Sequence, residues 1–306
     1  MKPYDSSQTD TPKKDIQQLV TDSIIRQLEA GTIPWQKPWK DNGPSLFALP
    51  QNAVTGKSYN GVNILLLWGS SIEKQYASSD WASFKQWQSK NEFVRKGEKG
   101  SFIVYADSFE KEVDDEIKKI PFLKYSVVFN RCQLASYKPE SIDQDNDTKT
   151  LVERIATVDD FIGNTLAVIE HKEGGAYYDT VSDKIIMPFE KSFLETKQCS
   201  ATENYYSTLL HELTHWTGHA KRLNRKIKNR FGDDVYAEEE LIAELGAAFL
   251  SAGFGITTPE KTDHASYITH WLNVLKGNKQ FIISAASEAS KAVSYVRELQ
   301  PLKIEY

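Results

Sequence analysis

Apolar residues recur at three-to-four spacing over residues 15–31, where Ile16, Leu19, Val20, Ile24, Ile25 and Leu28 share one side and Gly31 follows. That period predicts an amphipathic helix stopped by a glycine. A Pro/Trp segment comes next, and residues 61–69 and 79–90 also read as helical. Residues 101–106 and 125–130 read as two strands. Between them Glu110, Glu112, Asp114, Asp115 and Glu116 make residues 109–119 a charged excursion, expected to be a solvated hairpin tip. Residues 139–149 hold Pro139, Asp143, Asp145, Asn146 and Asp147 and almost nothing apolar, the pattern of a linker. Residues 1–14 are polar and read as a disordered tail. Two folded regions are therefore expected, at 15–138 and 150–306.

In the second region, residues 158–169 mix a helix with a following strand. Residues 176–179 and 184–187 read as two short strands around the turn-like Val181-Ser182-Asp183. Four helices are predicted at 201–217, 237–252, 262–275 and 278–297, with Trp216 and Trp271 as core residues. The fold class is α+β.

One predicted helix carries His211-Glu212-Leu213-Thr214-His215. Residues four apart on a helix lie one above the other, so His211 and His215 can reach the same metal ion. Glu212 lies beside them, placed to activate a water. Tyr205, Tyr206, Leu209, Leu210 and Leu213 form the apolar stripe that buries the other side. A catalytic zinc site needs a third protein ligand and an open position. Cys132 and Cys199 are the chain's only cysteines, too few for a Cys-rich site. His219 follows a helix-breaking Gly218, and Lys221 stands where a metzincin pattern needs histidine. The acidic helix Glu238-Glu239-Glu240-Leu241-Ile242-Ala243-Glu244 remains. Glu240 is assigned as ligand and Glu244 as the carboxylate that orients a ligand histidine, the gluzincin arrangement; Glu239 competes for the ligand position, or else is solvent-facing. The oxyanion of a peptidase reaction needs a further electrophile, for which His219 and Tyr236 come first and Tyr177 and Tyr178 next. Nitrogen and oxygen ligation suits Zn2+ and is compatible with Mn2+, Fe2+ or Co2+.

The run from His211 through Trp216-Thr217-Gly218-His219, then Arg222-Leu223-Asn224-Arg225, Phe231-Gly232 and Tyr236 to Leu250, resembles the metallopeptidase domain of ArdC-type antirestriction proteins. So do Ala176-Tyr177-Tyr178, Asp183 to Pro188, and the tail around Tyr267, Trp271 and Leu275. The first region is similar to the family's single-stranded-DNA-binding domain at Gly31 to Trp35, Lys37-Pro38-Trp39, Tyr59-Asn60-Gly61-Val62-Asn63, Trp81 and Lys96 to Gly100. Such domains also occur in certain plasmid primases. The resemblance spans roughly residues 16–298. It implies a mobile-element protein that binds incoming single-stranded DNA, carries a zincin-like domain and protects the DNA from host restriction. It also implies two partners: the DNA, and a protein substrate or restriction-system component. The competing reading is a DNA-binding protection protein whose metal domain is structural or partner-binding and turns nothing over.

The bulk composition changes this picture little. The net charge is −5, but the first region is slightly basic and the acidic excess falls in the second. Polyanion contact is therefore expected from local patches. Trp35, Lys37, Trp39, Lys57, Tyr59, Asn60, Asn63, Trp81, Lys96 and Lys99 interleave rings that stack on bases with groups that meet phosphate. Each tryptophan has burial as its alternative. Two distant cysteines, no signal peptide and no apolar run of membrane length point to a cytoplasmic protein with no membrane partner.

Overall fold

In the computed structural model, residues 15–36, 48–113, 116–138, 155–196, 199–225, 234–258 and 264–301 are described. The expected tail and linker lie outside them, as do Lys37 and Trp39.

The first helix, α1 (Ile16–Glu29), begins where the Asp15 carboxylate accepts the Gln18 N–H at 3.1 Å. Its apolar side, Val20, Ile24 and Leu28, is buried. Helix α2 (Val62–Lys74) is apolar almost all round from Ile64 to Trp68, and those five residues are buried. A four-stranded sheet lies beside it in the order β1-β2-β4-β3, formed by β1 (Gln51–Asn52), β2 (Asp80–Ala82), β3 (Ser101–Val113) and β4 (Glu116–Asn130).

Two expectations are corrected here. Residues 79–90 are not one helix. Trp81 and Ala82 pair with Asn130 and Phe129, and a short helix α3 (Phe84–Ser89) starts afresh after Ser83. Ser83 and Gln86 form a reciprocal capping box, a local start signal that separates strand from helix. The charged residues 109–113 and 116–119 are ladder, with β3 and β4 in register from Ser101↔Val128 to Val113↔Glu116. Pairing follows the two-residue alternation of the strands, and charge does not interrupt it.

The second region opens with α4 (Ala156–Gly163) and a three-stranded sheet of β5 (Val168–His171), β6 (Tyr177–Asp179) and β7 (Lys184–Met187). β7 is central, parallel to β5 and antiparallel to β6, which leaves β6 at an edge. Four helices follow: α5 (Ala201–Thr217), α6 (Asp234–Phe254), α7 (His264–Gly277) and α8 (Phe281–Glu298).

The two regions share one core. Val20, Ile24, Leu28 and Leu65 belong to the same buried cluster as Leu210, Leu245, Phe249, Ile282 and Val296. Polar ties cross the same boundary. Thr21 Oγ1 donates to the Lys279 carbonyl at 2.8 Å, and the Gly61 N–H donates to Ser290 Oγ at 2.8 Å. Across this seam Trp35 and Gln36, after α1, line a pocket with residues of α5 and α6.

Candidate metal centre

Helix α5 is started by a capping box. Ser200 Oγ accepts the Glu203 N–H at 3.2 Å, and Glu203 returns a carboxylate to the Ser200 N–H at 3.0 Å. Its apolar stripe, Tyr205, Tyr206, Leu209, Leu210 and Leu213, is buried. The opposite side presents His211 and His215, whose rings stand 4.9 Å apart and nearly perpendicular. Glu212 between them is 6 % exposed.

Helix α6 crosses α5 closely because Gly246 faces Thr214. A Cβ on Gly246 would lie 2.5 Å from Thr214 Cγ2. This approach brings Glu240 to the histidines. Its Oε2 lies 3.7 Å from His211 Nε2 and its Oε1 lies 3.6 Å from His215 Nε2. The ligand atoms of His211, His215 and Glu240 all lie within 4.8 Å of one another. Tetrahedral bonds of about 2.1 Å require ligands roughly 3.4 Å apart, so the three donors fit a divalent cation with little adjustment. Burial opposes ionisation of Glu240, but the His211 hydrogen bond, both histidine charges and the Tyr236 hydroxyl hold its pKa down to about 2. The centre therefore offers a carboxylate at neutral pH.

The carboxylate that meets His215 is Glu239. Glu239 Oε1 lies 3.1 Å from His215 Nδ1, which turns Nε2 toward the cation position. Glu239 is 4 % exposed, and Arg225 meets it twice, Nε to Oε2 at 2.9 Å and NH2 to Oε1 at 2.8 Å. Arg225 also binds Thr217 Oγ1 and the Thr214 carbonyl, fixing it to the end of α5. Burial would raise the Glu239 pKa, but Arg225 and His215 keep it lowered. Burial alone would likewise depress His215, and the Glu239 hydrogen bond, with the Glu239, Glu212 and Glu240 charges, raises it instead. Glu244 lies one turn beyond Glu240, where it accepts from the Tyr267 hydroxyl and lines a pocket beside His211.

The remaining candidates divide. Tyr236 is at the centre: burial and the Glu240 contact push its hydroxyl up to about 12, so it stays a donor at neutral pH. His219 sits in the turn after α5, where its Nδ1 accepts the Lys221 N–H at 3.2 Å. Tyr178 is engaged away from the histidines. It donates to Asp183 at 2.7 Å and accepts from Arg222 at 3.0 Å, and the Arg222 guanidinium lies 3.9 Å from the Trp216 ring centre. That cluster ties the β6–β7 hairpin to the end of α5.

Among the nucleic-acid candidates, Lys57, Asn60, Lys96 and Lys99 are exposed and Tyr59 is half-buried. Trp35 and Trp81 are each 1 % exposed, so neither ring face is open to a base. Trp35 donates its indole N–H to Tyr267, and Trp81 packs edge-on to Tyr76. Asn63 is spent on the Val104 backbone, donating at 2.7 Å and accepting at 2.8 Å. Among the described residues of this region the open rings are Phe84, Phe93, Tyr105 and Tyr125, which sequence periodicity did not single out. Arg225, Gln36 and Tyr267 also lie near the centre, and spacing gave none of them a role there.

Fold and site together define a two-domain protein whose C-terminal part is a zincin-like metallopeptidase domain. Residues 156–288 match the family described as zincin-like metallopeptidase, and residues 14–129 match the N-terminal domain of the anti-restriction factor ArdC. The chain belongs to the ArdC antirestriction family. It is 39 % identical to the antirestriction ArdC protein of plasmid R388 in its metal-free crystal structure, with a TM-score of 0.76, covering 94 % of this chain and 98 % of that one. The Mn(II)-bound structure of that protein matches at 37 % identity and a TM-score of 0.75, covering 95 % and 100 %. Protein y4eC of Sinorhizobium fredii is 33 % identical over 295 residues, 94 % of this chain and 92 % of its own length. Two Escherichia coli proteins named DNA primase TraC are 32 % identical over 96 % of this chain, which spans 20 % of one and 28 % of the other. Among the described residues no helix is long and apolar enough to cross a membrane.

Proposed function

We propose that this is a mobile-element antirestriction protein that binds single-stranded DNA through its N-terminal region and cleaves a protein at a Zn2+ centre in its C-terminal domain. The observation that carries the reading is the convergence of His211, His215 and Glu240 within 4.8 Å, with buried Glu212 beside them. Three protein ligands and an open position are the arrangement of a catalytic site; a structural site closes with four. A divalent cation held by His211, His215 and Glu240 would supply a Lewis acid for a peptide carbonyl and would lower the pKa of a water to about 7.

The residues do the rest. Glu212 takes the proton of the attacking water and delivers it to the leaving amine. Tyr236, protonated at neutral pH, donates to the oxyanion as it develops. Glu239 and Arg225 keep His215 in the tautomer that presents Nε2. The edge strand β6 pairs with an extended substrate by strand addition. Lys57, Asn60, Lys96 and Lys99 supply phosphate contacts, and Tyr59 with the four open rings supplies stacking.

Glu212→Gln tests the reading. It removes the base and leaves all three ligands in place. Loss of restriction protection with metal retained is expected; full protection by this variant would show that proteolysis is not needed.

A further inference from the structure

We infer that the pocket beside His211 receives a basic side chain of the substrate, arginine before lysine, next to the bond that is cut. The inference rests on the peptidase reading above and adds the substrate class. The pocket has a volume of about 210 Å³ and is built by three elements. Trp35 and Gln36 come from the segment after α1, Ser207 and Thr208 from the turn of α5 that precedes His211, and Glu244 from α6. Because His211 is itself on the wall, whatever fills the pocket lies beside the reacting bond.

Several polar groups of the wall are acceptors. Ser207 and Thr208 both donate their hydroxyl protons to the Asn204 carbonyl, at 3.1 and 2.8 Å, and present lone pairs. The Trp35 N–H is taken by Tyr267, and the Tyr267 hydroxyl is taken by Glu244. Glu244 adds a carboxylate. Gln36 is 9 % exposed, and its Oε1 is buried with no hydrogen-bond partner. An unpaired buried acceptor is costly, and a ligand that brings a donor removes that cost. Acceptors on several sides of the pocket suit a guanidinium, which carries five N–H donors in a planar fork. A leucine side chain satisfies none of these groups.

The test uses the full chain loaded with Zn2+ and two probes, N-acetyl-arginine hydroxamate and N-acetyl-leucine hydroxamate, titrated by calorimetry. The arginine probe is expected to bind tighter by about ten-fold or more, the effect of one charge-assisted hydrogen bond. Gln36→Leu and Glu244→Gln should each narrow that ratio. A second arm needs no metal: arginine amide should shift the Trp35 indole N–H signal of the metal-free protein saturably, and norleucine amide should not. Equal binding of both hydroxamates, or a ratio untouched by both substitutions, overturns the inference while the metal centre stands. Failure of both hydroxamates to bind the zinc-loaded chain removes the peptidase reading and the inference with it.

Discussion

Glu239→Gln isolates the support beneath the metal ligands. Glu239 accepts three hydrogen bonds, one from His215 and two from Arg225, and both members of its ion pair have side chains only 5 % exposed. The amide keeps one oxygen for His215 but turns a donor against the Arg225 Nε–H. It also leaves a buried guanidinium without its counter-charge. Breaking a buried pair from one side costs about 3–5 kcal/mol. At roughly 2.1 cal/mol/K per residue, that lowers the melting temperature of a 306-residue chain by roughly 5–8 °C. Loss of the group that orients a ligand histidine costs about 10–100-fold in metal affinity. Calorimetric melting of the metal-free protein and a zinc titration read the two effects separately. Combining Glu239→Gln with Arg225→Met removes both charges and should recover part of the stability. Arg225 also holds Thr217 and the Thr214 carbonyl, so recovery stays incomplete. Additivity of the two substitutions to within about 0.5 kcal/mol, or wild-type zinc affinity in Glu239→Gln, would refute the relay from Arg225 through Glu239 to His215.

Three further outcomes are expected. Gly246→Ala forces a methyl against Thr214, which is 1 % exposed and tied to the Leu210 carbonyl at 2.8 Å, so α5 and α6 must part; a loss of about 1–3 kcal/mol and weaker zinc binding should appear together, and a variant unchanged in both contradicts the account of how Glu240 is placed. Arg222 and the Tyr178 hydroxyl hold the Asp183 pKa down from 3.8 to about 2, so the folded state takes up this proton later than the unfolded one. The stabilisation is therefore complete above pH 3.8 and lost as pH falls through about 2; the melting-temperature gap between wild type and Asp183→Asn should close over that window, and a gap constant with pH counts against it. Lys96→Ala should lower the salt slope of single-stranded-DNA binding by about 0.7, whereas an unchanged slope takes Lys96 off the phosphate path.

The centre was legible where its geometry is local. His211 and His215 are one helical turn apart, and the apolar stripe of α5 fixes which side they occupy. The choice among Glu239, Glu240 and Glu244 was only partly legible. It depends on where α6 sits along α5, which the Gly246–Thr214 contact sets across two elements. Spacing alone therefore did not show that Glu239 is the carboxylate that meets His215. Trp35 shows the same limit: an indole between prolines has no periodicity to reveal its burial, and its partner Tyr267 is 232 residues away. The break at Ser83 was in fact written locally, as Ser83 and Gln86 three apart, and a helical reading of residues 79–90 passed over it. In residues 109–119 composition misled, because strand pairing depends on alternation and register and not on low charge.

The most direct test of the metal centre is an anomalous difference map from crystals grown with zinc or manganese. One peak is expected within about 2.2 Å of His211 Nε2, His215 Nε2 and a Glu240 oxygen, with Glu239 on the far side of His215 and Glu244 out of reach. A peak ligated by Glu239 or Glu244, or no peak between the two histidines, would contradict the account.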